Sequence, residues 1–162
     1  MSRPVLIAVI GENDPPPALV RLAEEVGEEI AAAGAVLVCG GLGGAMEAAC
    51  RGAQRRGGVT IGLLPGTRAE DANPYVTYPI PTGLGHARNI LVARSARAVI
   101  AVGGKFGTLS EIAFAKIGDI PVVGLATWEL SREGLGEDPI LRARDAKEAV
   151  ALALQAARSP SG

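Results

Sequence analysis

Pro4 to Ile10 is a continuous apolar run closed by Gly11. Without polar alternation it predicts a strand covered on both faces, as in a parallel sheet. After Pro15-Pro16-Pro17, Leu19, Leu22, Ala23, Val26 and Ile30 recur at helical spacing, with Glu24, Glu25, Glu28 and Glu29 on the other side. That segment predicts an amphipathic helix ended by Gly34. The alternation then repeats. Ala35–Cys39, Val59–Leu64, Ala98–Val102 and Pro121–Leu125 read as short buried strands. Ala45–Arg55, His86–Ser95 and Leu109–Ile117 read as helices, the first stopped at Gly57-Gly58. Asp145-Ala-Lys-Glu148 has capping-box spacing and opens a last helix through Val150, Ala153, Leu154 and Ala157.

Residues 65–85 break the pattern. Pro65, Pro74, Pro79 and Pro81 leave room for at most a short edge strand over Tyr75–Ile80. So long an irregular stretch in a compact domain marks a functional loop or lid. Strands alternating with helices and no linker predict one α/β unit, a Rossmann-like doubly wound domain over residues 1–158. Its mainly parallel sheet is flanked by helices, and residues 159–162 are a frayed tail.

Composition narrows the function. Of 162 residues, 48% are apolar and 20% charged, enough for a core, but only 3% are aromatic, so Ala, Val, Ile and Leu must build it. A net charge of −1 gives no general attraction to nucleic acid or to an anionic membrane. No apolar stretch approaches the roughly 18–20 residues of a membrane helix, so the expected setting is soluble and cytoplasmic. One histidine excludes a multi-histidine metal site, and Cys39 and Cys50 lack metal or disulfide spacing. They read as small buried hydrophobes.

Two glycine turns follow buried strands: Gly40-Gly41-Leu42-Gly43-Gly44 and Gly103-Gly104-Lys105-Phe106-Gly107-Thr108. The first turn of a helix leaves N–H groups unpaired and carries partial positive charge, which favours phosphate, and glycine lets backbone approach closely. Gly11, closing the first strand, belongs to the same end of the sheet. Neither turn is a dinucleotide fingerprint, since Met46 stands where GxGxxG needs a small residue. No Walker motif is present either, since Phe106 follows Gly104-Lys105.

The two turns, with Gly85-His86-Ala87-Arg88-Asn89 between them, resemble the Lonely Guy (LOG) family. They also resemble its relatives once labelled possible lysine decarboxylases, which include molybdenum cofactor carrier proteins. Residues 103–111, GGKFGTLSE, match PGGxGTxxE except that Val102 replaces the proline, and Gly40 to Met46 is similar to its GGxxGxM turn. The resemblance spans about Pro4 to Leu125. It implies a homodimer or higher homo-oligomer and a phosphorylated small-molecule ligand. In LOG enzymes the reaction is hydrolysis of a nucleoside 5′-monophosphate to free base and ribose 5-phosphate, with no cofactor required.

Carried over, Gly11, Gly40, Gly41, Gly44, Gly103, Gly104, Lys105, Gly107 and Thr108 bind phosphate or nucleotide, while Arg88 and Glu111 are catalytic. A carboxylate at Glu111 would stabilise an oxocarbenium-like ribose, and the planar fork of Arg88 would clamp phosphate or steady the departing base. The family's MHxRK segment has neither its methionine nor its lysine here. These departures point to the alternative, a non-catalytic carrier or sensor of a nucleotide or pterin (molybdenum) cofactor. Lysine decarboxylation is set aside, because Lys105, Lys116 and Lys147 include no candidate for a Schiff base.

Local alternatives accompany these roles. Thr108 to Glu111 also has capping-box spacing, and Arg88, Lys105 and Glu47 also fit solvated faces. His86 also fits a helix start and Met46 core packing. Asn13 and Asp14 either line the pocket or cap the next helix.

Overall fold

A computed structural model describes residues 2–159, so of the tail expected at 159–162, residues 160–162 lie outside the described residues. The elements run β1 (Leu6–Gly11), α1 (Pro17–Ala32), β2 (Val36–Cys39), α2 (Ala45–Arg55) and β3 (Thr60–Leu64). They continue with β4 (Tyr78–Pro81), α3 (Arg88–Ser95), β5 (Ala98–Val102), α4 (Phe106–Ile117), β6 (Val122–Leu125), β7 (Leu141–Arg142) and α5 (Ala146–Arg158). Short 3₁₀ turns at Ala69–Asp71 and Gly85–Ala87 break up the Pro-rich segment and lead into α3.

All seven strands are parallel, in the order β4-β3-β2-β1-β5-β6-β7. The order runs down the chain from β4 to β1 and then reverses at β5. The carboxyl ends of β1 and β5 therefore flank the switch point at which open α/β sheets bind ligands.

The apolar runs are explained by burial on both faces. In β1, Ile7 and Val9 join the core that holds α1, α2 and α5, while Ala8 and Ile10 join the core under α3 and α4. In β5, Ala98, Ile100 and Val102 face the first layer, Val99 and Ala101 the second. A period of two with both faces covered leaves no position for a polar residue.

Helices α1 and α2 meet through glycine. A Cβ on Gly27 would stand 1.9 Å from the Ala49 carbonyl oxygen, and one on Gly52 would stand 1.9 Å from that of Glu24. Arg51 bridges the same crossing with an ion pair to Glu24 at 2.9 Å. The obstacle at Gly27 is backbone, so the helices must separate to admit a methyl group. Gly27→Ala is therefore expected to cost about 3 kcal/mol in urea unfolding, outweighing the ~1 kcal/mol that alanine gains over glycine in a helix.

Three expectations change. The strand at the Pro-rich edge is β4, over Tyr78–Pro81, where Pro79 and Pro81 are tolerated because no further strand pairs beyond it. The two-residue β7 is too short to show any period, which is why the hydrophobic pattern missed it. Helix α4 starts at Phe106 rather than Leu109: Lys105 takes the extended N-cap conformation, and Thr108 is already buried against Gly104. No side chain caps α4, which removes the capping-box alternative for Thr108 and Glu111. At α5 the Asp145 side chain does accept from the Glu148 N–H at 2.8 Å, as expected. The return arm differs, since the Glu148 carboxylate accepts from the N–H of Arg144 and not of Asp145.

Candidate functional site

A cavity of about 450 Å³ opens at the switch point. Its floor is the loop after β1, from Gly11 to Asp14. One wall is the start of α4 with Lys105, Gly107, Thr108 and Glu111, and the other brings Gly85, His86, Arg88 and Asn89 from the entry to α3. Leu42, Met46 and Pro65 supply apolar surface. Two segments more than fifteen residues apart, each weakly informative alone, thus converge on one space.

Arg88 and Glu111 are both nearly enclosed, with 8% and 7% of their surface exposed. Among the described residues the Arg88 Nε is buried with no hydrogen-bond partner. Burial holds the Arg88 guanidinium below its usual basicity, opposed by its electrostatic attraction to the Glu111 carboxyl and the Cys39 sulfur when these ionise. Arginine is so basic that it stays cationic regardless. Burial pushes the Glu111 carboxyl up to about 8, against the pull of Arg88. At neutral pH Glu111 is therefore largely a neutral acid, and the buried cation lacks a negative partner. An uncompensated buried cation is expensive, and an anionic group entering the cavity would relieve it. The start of α4 lines the same cavity with Gly107 and Thr108, and a helix N-terminus attracts anions.

The expected site residues divide into two groups. Gly11, Arg88, Lys105, Gly107, Thr108 and Glu111 line the cavity, whereas Gly40, Gly41, Gly44, Gly103 and Gly104 stand behind it. Gly40 makes room for Arg88: a Cβ there would lie 1.7 Å from the guanidinium Nη1. Gly41, at φ +77°, packs on Gly62 and Leu64, and its N–H points to the Cys39 sulfur at 3.3 Å. Gly44, at φ +69°, lies against the Glu12 and Asn13 backbone, where Ala45 N–H donates to the Glu12 carbonyl at 3.0 Å. The first glycine turn thus anchors the floor loop and seats the arginine.

Gly40→Ala tests that seat. Its obstacle is the end of a flexible side chain, so the fold should survive while Arg88 is displaced. The expected result is an affinity for a phosphorylated ligand lowered about tenfold or more, with a melting temperature close to the parent. A titration calorimeter and a thermal melt check both halves.

Asn13 and Asp14 line the cavity and do not cap α1, whose N-cap is Pro16 with no side-chain hydrogen bond. His86 is exposed at the rim and Met46 is both core and cavity wall. Glu47 is half-buried in the first turn of α2 and lies outside the cavity. Cys39 and Cys50 are buried free thiols with sulfurs 3.5 Å apart, as small core residues. Glu12 and Asn89 were not singled out from sequence. The signal for Glu12 was its place directly after Gly11, at the end of the first strand. Asn89 donates to the Ser110 hydroxyl at 3.1 Å, tying α3 to α4.

The sequence profile of the SLOG cluster4 family matches residues 4–156. An uncharacterized protein of Archaeoglobus fulgidus is 46% identical over 110 residues, covering 67% of this chain and 72% of that protein. The molybdenum cofactor binding protein of the phototrophic bacterium Rippkaea orientalis superposes with a TM-score of 0.88 at 35% identity, covering 96% of this chain and 98% of that one. The molybdenum cofactor carrier protein of Chlamydomonas reinhardtii superposes with a TM-score of 0.84 at 35% identity, covering 96% and 99%.

Proposed function

The chain belongs to the SLOG cluster4 family, and from that premise we propose that it binds and carries a phosphorylated pterin cofactor of the molybdenum type without transforming it. The observation that carries this reading is Arg88, which lines a cavity of cofactor size while its Nε is buried without a partner. The likeness to two molybdenum cofactor proteins over nearly their whole length supports it.

The residues suit such a group. Arg88, with the start of α4 at Gly107 and Thr108, would hold its phosphate. Leu42, Met46 and Pro65 would cover the faces of a flat ring, and polar side chains of the floor loop would meet its edge. When bound, the cofactor supplies molybdenum and its dithiolene. The protein's part is to orient the group and shield it from water.

Phosphoribohydrolysis is the competing reading, and Glu111 weighs against it. That reaction needs an ionised carboxylate near the developing ribose cation at neutral pH. With its pKa at about 8, Glu111 is mostly protonated there and supplies little of that charge.

Two assays separate the readings. Incubated with nucleoside 5′-monophosphates and analysed by chromatography, the protein is expected to release no free base while binding a pterin phosphomonoester. Base release that both Glu111→Gln and Arg88→Ala abolish would establish the hydrolase instead.

A further inference from the structure

The carboxylate of Glu12 lies over the second glycine turn. Its Oε1 accepts from the Gly104 N–H at 3.4 Å, and a Cβ on Gly103 would stand 3.0 Å from the same oxygen. Its Oε2 is 3.9 Å from the Lys105 Nζ, and the side chain is only 14% exposed. The two glycines expected to cradle phosphate therefore hold one of the protein's own anions. A dianionic phosphate in that position would meet a carboxylate with hardly any intervening solvent. The phosphate belongs at the other part of the cavity, with Arg88, Gly107 and Thr108.

We infer that Glu12 is a specificity-determining residue which reads the 2-amino-4-oxopyrimidine edge of the bound ring, the edge that pterin and guanine share. This rests on the proposed binding of a phosphorylated ligand and adds which ring the cavity selects. The edge presents a ring N–H beside an exocyclic amino group, two donors side by side. A carboxylate has two acceptor oxygens at matching separation and no donor, so such a pair makes two charge-assisted hydrogen bonds. Each Glu12 oxygen keeps a lone pair free after its contact with Gly104 or Lys105. Those contacts also fix the carboxylate before the ligand arrives, so little freedom is lost on binding. Asn13 and Asp14 are exposed and lack this support. A 2-oxo ring places an acceptor against the carboxylate, and adenine's Watson–Crick edge offers an acceptor beside its amino group. Both are rejected because a polar group would be left unpaired.

Fluorescence titration with 6-hydroxymethylpterin monophosphate and its 2-oxo counterpart, the lumazine monophosphate, tests the inference. GMP and AMP form a second arm that distinguishes pterin from guanine as the source of the edge. The parent protein is expected to prefer pterin over lumazine by tenfold or more, and Glu12→Gln to reduce that ratio toward one while keeping the dependence on phosphate. A guanine nucleotide preferred over the pterin would keep the role of Glu12 and change the ligand. Equal affinity of the parent for pterin and lumazine phosphates overturns the inference without any variant being needed. A Glu12→Gln variant that binds every phosphorylated ligand more tightly by one factor overturns it too, since Glu12 would then only compete with phosphate. If no phosphorylated ligand binds the parent, the proposed function itself fails.

Discussion

Arg88→Met is expected to lower affinity for a phosphorylated ligand by at least about a hundredfold and, in the same protein, to raise stability by roughly 1–3 kcal/mol. Both effects have one cause. The guanidinium is nearly enclosed, its Nε has no partner, and the neighbouring carboxyl is largely uncharged at neutral pH. Without ligand this is a nearly enclosed cation with no ionised partner beside it, a cost that a bound phosphate would offset. Methionine keeps an unbranched apolar stem of similar length and removes the charge. With ligand the same arginine supplies bidentate, charge-assisted bonds to phosphate, and these are lost. Urea unfolding of the free protein and calorimetric titration are expected to move in opposite directions. A variant losing both stability and affinity would mean that Arg88 is a structural residue whose partners are satisfied.

The second large effect is a pH dependence assigned to Glu111. Its carboxyl is raised from an ordinary 4.5 to about 8 in the folded protein, chiefly by burial. Between those values the folded state keeps a proton that the unfolded chain has released. The stability gradient with pH follows protons bound unfolded minus folded, so it is negative there. The contribution of Glu111 is complete below about pH 4.5, declines as pH rises, and is lost above about pH 8. At about 1.4 kcal/mol per unit, the total swing is several kcal/mol. Glu111→Gln, which stays neutral, should flatten this part of the profile.

Ligand affinity should show the same group. A phosphomonoester gains its second charge at about pH 6, which strengthens binding to Arg88. Ionised Glu111 opposes it above about pH 8. The parent is therefore expected to bind best between those values, and Glu111→Gln to lose only the alkaline decline. Titrations across pH 5–9 read both limbs.

The fold was legible because burial on two faces leaves a plain mark. The uninterrupted runs in β1 and β5 could belong only to covered parallel strands, and both were bounded to within two residues. Edges were less legible: β4 carries prolines and β7 has two residues, so neither has a hydrophobic period to read. At the site, the glycine clusters mark the carboxyl end of the sheet, where the cavity opens. Their individual duties were hidden because glycine marks close approach without saying what approaches. Gly40 meets an arginine 48 residues further along the chain, and Gly104 meets Glu12, 92 residues away. The start of α4 is hidden from the pattern for a related reason. Phe106 and Gly107 are exposed, so the apolar period begins only at Thr108 and Leu109, after the helix has already formed.

The central claim is that this cavity holds a phosphate through Arg88. Its most direct measurement is a four-way calorimetric titration, of parent and Arg88→Met protein with 6-hydroxymethylpterin and its monophosphate. The expected result is that removing the phosphate weakens binding about a hundredfold in the parent and hardly at all in the variant, so that the two changes are coupled. Equal loss of affinity on removing the phosphate in both proteins would place the phosphate away from Arg88 and contradict the account.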